Sequence, residues 1–254
     1  CINTWAGGFA LEGKKPIVCF EATFFQRVYD QLIHDLCINM LPVLVVAARS
    51  GHTGLDHLTH HSLLDISYLR SVPNLKIVFP SGSQDLGEQI KICYQNLSEP
   101  TVVLFPYGNP LYDADKGTMT DLQLETHCDN KSRVLILSIG AQNKNACQLN
   151  NLLNNNNIST DHIIVTQIQP MTNTLVERLS SYDYIITLEE GYLEGGFGSL
   201  ILEKISDLGA QTKVVRYGFP KQYIPHGTRE FIYKVFNLDA ESIYADFKEK
   251  IGEK

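Results

Sequence analysis

Short aliphatic and β-branched runs alternate, along the first half of the chain, with stretches whose apolar residues recur every three or four positions. "PIVCFEA" (16–22) reads as a strand, "FFQRVYDQLIHDLCIN" (24–39) as a helix and "LPVLVVAARSG" (41–51) as a strand stopping at Gly51. Phe25, Val28, Leu32 and Leu36 fall at i, i+3 and i+4 spacing in that helix, which makes one buried stripe. Beyond it, "SLLDISYLRSV" predicts a helix closed by Pro73, "LKIVFPS" a strand, "SQDLGEQIKICYQNL" a helix and "TVVLFPYG" a strand. These strands are continuously apolar rather than alternating, the pattern of a mostly parallel sheet covered on both faces.

Residues 108–131 lack such a run and read as a linker with room for one edge strand. A second alternation follows: "RVLILSIGA" (strand), "NKNACQLNNLLNN" (helix), "HIIVTQI" (strand), "TNTLVERLSSY" (helix), "DYIITLEE" (strand), "GSLILEKISDLG" (helix) and "TKVVRYG" (strand). The "NNNN" at 154–157 is a polar loop after a helix. The expected architecture is therefore two successive open α/β domains with mostly parallel sheets, over 1–110 and 131–254, joined by a linker at 111–130.

The chain has 254 residues, 44% hydrophobic and 19% charged, a globular balance large enough for a sizeable core. A net charge of -7 without any basic stripe argues against a nucleic-acid footprint. The longest apolar runs are strand-length, short of the roughly 20 residues of a membrane span, so no membrane partner is expected. The six cysteines form no CxxC pair; Cys19, Cys37 and Cys93 sit in apolar segments and read as small core residues of a reduced compartment. The first residue is Cys1 rather than Met, so the chain reads as processed or taken from a longer product.

Candidate chemistry gathers in "RSGHTGLDHLTHHSLLDISYLR" (49–70), which follows a strand at the position where open α/β sheets bind ligands. Arg49 leaves the strand end with a planar fork suited to phosphate or carboxylate. Gly51 and Gly54 permit tight turns. Asp56 and His60 lie four apart, and an imidazole shuttles protons near neutral pH. The HxxH-like pairs of His57 with His60 and with His61 lack a third ligand at sensible spacing, so no metal site is expected. A plain solvated loop is the competing reading of this stretch. Phe24 sits at a strand-to-helix corner one step off the buried stripe, free to face a flat ring. "EEGYLEGGFGS" (189–199) couples two carboxylates to a glycine-rich turn but contains no GxGxxG fingerprint.

Taken in order, "GGFALEGKKPIVCFEATFFQRVYDQLIHD", "RSGHTGLDHLTHHSLLDISYLRSVPNLKIVFPS", "LEEGYLEGGFGS" and "GFPKQYIPHGTREFIYKVFNLD" resemble the transketolase superfamily of thiamine-diphosphate enzymes. Within it they are similar to the 1-deoxy-D-xylulose-5-phosphate synthase family. The resemblance covers essentially the whole chain and corresponds to the family's pyrimidine-binding domain followed by its C-terminal domain. It implies a transferase that condenses pyruvate with glyceraldehyde 3-phosphate under loss of carbon dioxide, toward isoprenoid and thiamine precursors. By the same resemblance Phe24 stacks on the cofactor's aminopyrimidine, Arg27 lies near that pocket, and Arg49, Asp56 and His60 line the substrate pocket. His60 is then expected to move protons on substrate oxygens, and Arg49 to hold the acceptor's phosphate.

The departures matter as much. The family's catalytic glutamate would fall two residues before Cys1, and the diphosphate and its Mg²⁺ are held in the family by an N-terminal domain. The chain is therefore expected to need that domain, or a subunit supplying it, as a partner, in a homodimer or hetero-oligomer of the cytoplasm or a plastid stroma. Inside the compared region, Glu21, Ala48, Leu104 and Tyr107 replace a tyrosine, an aspartate and two arginines of the family pattern, and "DHLTH" stands for "DGPTH". Two of these losses remove phosphate contacts, each typically worth about 1.5–3 kcal/mol. Two alternatives follow: a non-catalytic paralogue with a structural or regulatory role, or a thiamine enzyme whose acceptor carries no phosphate.

Overall fold

The computed structural model describes residues 2–81, 83–108, 118–120, 123–127 and 132–252. Helix α1 (Ile2–Leu11) leads into β1 (Ile17–Glu21). The predicted helix that follows is one helical stretch of changing pitch: α2 (Ala22–Phe25), a 3₁₀ turn (Gln26–Val28), α3 (Tyr29–Gln31) and a π-helical turn (Leu32–Cys37). Its stripe is as expected, with Phe25, Leu32 and Leu36 buried and Val28 packed against them. Then come β2 (Leu44–Ser50), a 3₁₀ turn (Leu58–His60), α4 (Asp65–Leu69), β3 (Lys76–Val78), α5 (Ser83–Gln95) and β4 (Thr101–Pro106). The strands order β1-β2-β4-β3, all parallel, in the first sheet.

The second sheet is built from β5 (Thr118–Thr120), β6 (Gln123–His127), β7 (Val134–Ser138), β8 (Thr160–Val165), β10 (Tyr184–Tyr192) and β11 (Lys213–Phe219). Its order is β11-β10-β7-β8-β6-β5, parallel except for β5 and β6. Helices α6 (Asn143–Asn155), α7 (Asn173–Leu179), α8 (Phe197–Asp207), α9 (Arg229–Val235) and α10 (Ala240–Ile251) complete it. The stretch read as a linker thus contributes two antiparallel strands rather than one, and both join the second sheet. The rest of that stretch, 111–117, 121–122 and 128–130, lies outside the described residues.

Three further features differ from the sequence reading. "HIIVTQI" is two strands: after β8 the chain turns, and β9 (Gln167–Gln169) pairs antiparallel with β3, lending the first sheet a strand from the second half. A continuous apolar core spans both halves for the same reason, running from Val45, Val102 and Leu104 to Leu135, Ile163 and Ile185. Cys19 is exposed, not a core residue, because β1 is an edge strand whose outward positions Ile17 and Cys19 are uncovered; Cys37 and Cys93 are buried. No helix among the described residues is long and apolar enough to cross a membrane.

The glycine-rich turn before α8 is set by close approach. A side chain on Gly196 would lie 2.3 Å from Glu189 Oε2 and 2.4 Å from the Tyr192 carbonyl, and one on Gly198 would lie 2.5 Å from Thr187 Oγ1. Glu189 uses that space to accept the amide hydrogens of Phe197 and Gly198, each at 2.8 Å, satisfying the first turn of α8. Fully buried there, its carboxyl is pushed up to about 7 by desolvation.

Candidate functional site

Four segments converge at the carboxyl ends of β1, β2 and β4. Glu21 closes β1 opposite Ala48 of β2. Arg49 is the next residue of β2, and the pairing with β4 slips there, Ala48 facing Phe105 and Ser50 facing Pro106. The slipped residue takes the left-handed conformation (φ 67°). A bulge of this kind re-aims a side chain at the rim of a sheet. The Arg49 guanidinium bonds both Glu21 and Asp56 and lies 4.6 Å from the centre of the Tyr107 ring. Asp56 is consequently held below the ordinary carboxylate range, first by the bond from Arg49.

Phe24, in α2, forms a T-shaped pair with the His60 ring, centroids 5.6 Å apart at 80°. The contact is framed by Thr23 Oγ1 donating to the Thr59 carbonyl at 2.9 Å and by the His60 amide donating to the His57 carbonyl at 2.8 Å. His60 also lies close enough to Asp56 to lower its carboxyl. The structure thus brings Phe24, Arg49, Asp56 and His60 onto one face. Arg27, three residues on, is exposed, and among the described residues no hydrogen bond or ion pair holds it.

The histidines of the loop divide into two kinds. His52 and His61 stack at 4.1 Å: His61 Nδ1 accepts from the Thr53 amide (3.1 Å) and hydroxyl (2.9 Å), His52 Nδ1 accepts from the Gly54 amide (3.2 Å), and His61 Nε2 is buried without a partner among the described residues. His52 Nε2 therefore donates to the Pro225 carbonyl at 3.1 Å. Burial keeps both neutral, lowering His52 and bringing His61 down to about 4. His57 is exposed, and His60 is half-buried against Phe24. Among the described residues no group of three or more His, Cys, Asp or Glu side chains is disposed to hold a metal ion.

The loop's inner side is fastened by Arg229 and Tyr233, which the sequence reading did not single out, acting on Glu190 of the 189–199 motif. Arg229 donates to Glu190 Oε1 (2.7 Å) and to the carbonyls of His52 (3.0 Å) and Tyr107 (3.1 Å). Tyr233 donates to the same Glu190 oxygen at 2.7 Å, and the Gly227 amide bonds the Gly54 carbonyl at 3.0 Å. Arg229 and Glu190 lie far from the loop in sequence, so no local spacing announces them. The two carboxylates of "EEGYLEGGFGS" are accordingly a helix cap and half of an ion pair.

Beneath the loop, Asp65 is buried and accepts from Ser50 Oγ at 2.6 Å and Ser62 Oγ at 2.5 Å. Desolvation pushes it up to about 6. A carboxyl raised by folding binds its proton more tightly in the folded chain, so its contribution to stability falls as pH rises from about 4 to 6. Asp65→Asn removes that dependence. The stability advantage of the native chain over the variant is expected to shrink across this window, as measured by urea unfolding at several pH values; an advantage that grows with pH would refute the assignment. Beside Asp65 a cavity of about 270 Å³ opens between the halves, with Thr23, Gln26, Thr59, Tyr192 and Tyr223 in its wall.

This fold, with its rim of aromatic, imidazole and carboxylate groups, defines a class. Residues 2–110 match the family described as "Transketolase, pyrimidine binding domain" and residues 123–243 match "Transketolase, C-terminal domain"; the chain belongs to the transketolase family. Its curated relatives include a 1-deoxy-D-xylulose-5-phosphate synthase of Halothermothrix orenii, 36% identical over 246 residues, and another of Chlorobium phaeovibrioides, 34% identical over 248 residues. Each comparison covers 94% of this chain and 38% of the relative, so the chain spans about two fifths of those proteins. Among solved structures, a split-gene transketolase described as an inactive beta4 tetramer superposes with a TM-score of 0.83 at 19% identity, over 96% of this chain and 79% of that one. A transketolase of Campylobacter jejuni superposes with a TM-score of 0.76 at 12% identity, over 96% and 37%.

Proposed function

We propose that the chain supplies the pyrimidine wall and the substrate mouth of a thiamine-diphosphate-dependent transferase resembling 1-deoxy-D-xylulose-5-phosphate synthase. The reaction is a decarboxylating condensation of pyruvate with an aldehyde. The single observation that carries the reading is the Phe24–His60 pair beside Arg49 and Asp56 at the carboxyl ends of adjacent strands. The Phe24 ring is 41% exposed although its neighbours fix its position, which fits a planar ring stacked on it. When bound, thiamine diphosphate supplies the carbanion chemistry that side chains lack. His60 moves protons at substrate oxygens, Asp56 and Arg49 orient the loop that carries it, and Arg27 lies near the pyrimidine pocket.

The diphosphate and its Mg²⁺ belong, on this reading, to a domain or subunit that pairs with this chain. The relatives' greater length supports such a partner, as does the split-gene transketolase with its inactive beta4 form. Helix α1 offers a face for it: Ile2, Trp5 and Phe9 are 55%, 72% and 58% exposed, an apolar stripe of the kind that marks an interaction surface. The deciding experiment combines the chain with its thiamine-diphosphate-binding domain. Micromolar, Mg²⁺-dependent cofactor binding by calorimetry and pyruvate-dependent release of carbon dioxide are expected. Absence of both would leave the non-catalytic paralogue.

A further inference from the structure

The mouth of this site carries the wrong charge for a phosphate. Arg49 is the cation at the rim, and both of its outer nitrogens are engaged, one by Glu21 and one by Asp56. Its flat face is covered by Tyr107 at 4.6 Å. Arg229 is turned away, paired with Glu190 and two backbone carbonyls, and the exposed Arg27 bonds neither carboxylate. Among the described residues, this cluster sets two carboxylates against one guanidinium and so carries a surplus negative charge. Their side chains are 31% (Glu21) and 34% (Asp56) exposed, enough for unengaged oxygen lone pairs to reach a ligand. Such a rim accepts hydrogen bonds from hydroxyl groups and repels an anion, and like charges brought together weigh heavily in recognition.

We infer that Glu21 is a specificity-determining residue that selects a neutral, hydroxylated aldehyde as acceptor and rejects its phosphorylated counterpart. The inference rests on the function proposed above and names the substrate class of that site. Asp56 is needed to hold Arg49 over the loop; Glu21 sets the sign of the charge. A glutamine there still accepts the guanidinium bond and nearly preserves volume, so Glu21→Gln isolates the charge.

Two measurements test it. In the enzyme assembled with its cofactor domain, the ratio of kcat/KM for glyceraldehyde to that for glyceraldehyde 3-phosphate should exceed one. Glu21→Gln should shift that ratio toward the phosphorylated acceptor by about tenfold or more, the scale of one unit charge removed at contact distance near a protein surface. Glu21→Asp should behave as the native chain, and high salt should narrow the difference. Separately, inorganic phosphate and glyceraldehyde 3-phosphate are titrated into the full chain by ³¹P resonance, where Glu21→Gln should bind either more tightly by a similar factor. A native preference for the phosphorylated acceptor overturns the inference, as does phosphate binding that Glu21→Gln leaves unmoved. Carbon dioxide release from pyruvate without any acceptor reports on the underlying function alone. Its absence would defeat the functional reading, while the phosphate titration still decides whether Glu21 excludes anions.

Discussion

Arg229→Ala will destabilise the chain by about 3–5 kcal/mol, the scale for breaking a buried ion pair from one side. The Glu190 side chain is 4% exposed and the Arg229 side chain 10%. Glu190 Oε1 receives both Arg229 and Tyr233, while its Oε2 is buried with no partner among the described residues. Without the guanidinium, a desolvated carboxylate keeps a single phenol. The substitution also strips a donor from the carbonyls of His52 and Tyr107, so it loosens the two segments that frame Arg49. Glu190 cannot swing away: Gly51 sits against it with φ 86°, and even a methyl group there would come within 2.3 Å of Oε2. Urea unfolding at neutral pH measures the loss. A companion variant that replaces both partners by apolar residues of similar size should recover most of it, because the penalty belongs to the orphaned charge rather than to the missing pair. A loss below about 1 kcal/mol for Arg229→Ala would place the pair among surface salt bridges.

How much of this was legible beforehand depends on whether a residue's role is local. Periodicity located α6 at residues 143–155 and the stripe of Phe25, Leu32 and Leu36, since an amphipathic face repeats every turn. It could not separate β8 from β9, because one apolar run serves two sheets and only the turn at Thr166, whose carbonyl bonds the Phe79 amide at 2.7 Å, divides it. Cys19 was misread for a related reason. Ile17 and Cys19, the uncovered positions of "IVCFE", are apolar, so the pattern there does not mark β1 as an edge.

The loop illustrates the same limit at the level of chemistry. Its four histidines look alike in sequence, yet His52 and His61 stack on each other while His57 is exposed and His60 packs on Phe24. What distinguishes them is the Thr53 hydroxyl, the Gly54 amide and the Pro225 carbonyl, one of which lies 173 residues away. Glu21 was visible only as a departure from a family pattern. Its role as the second carboxylate on Arg49 required the register of β1 on β2.

On the proposed function, His60→Gln will lower kcat of the assembled enzyme by about 10²–10⁴, the range for removing a general acid–base group. The ring stands on the Leu58–His60 turn with Nδ1 3.1 Å from the neighbouring Thr59 hydroxyl, and it packs nearly perpendicular to Phe24. Among the described residues no hydrogen bond engages Nε2, which leaves it to meet a substrate oxygen. Glutamine keeps a donor and an acceptor but has no proton to exchange near neutral pH. The loss should therefore fall on kcat, with thiamine diphosphate affinity held within a few fold. Phe24→Ala should divide the other way: it removes the stacking face, worth about 0.5–1.5 kcal/mol beyond its buried area, and so weakens cofactor binding by roughly tenfold. Single-turnover kinetics beside calorimetric titration separates the two variants. If His60→Gln instead cost cofactor affinity and spared kcat, the imidazole would be a prop for Phe24, and the proton-moving role would have to pass to another group at the rim.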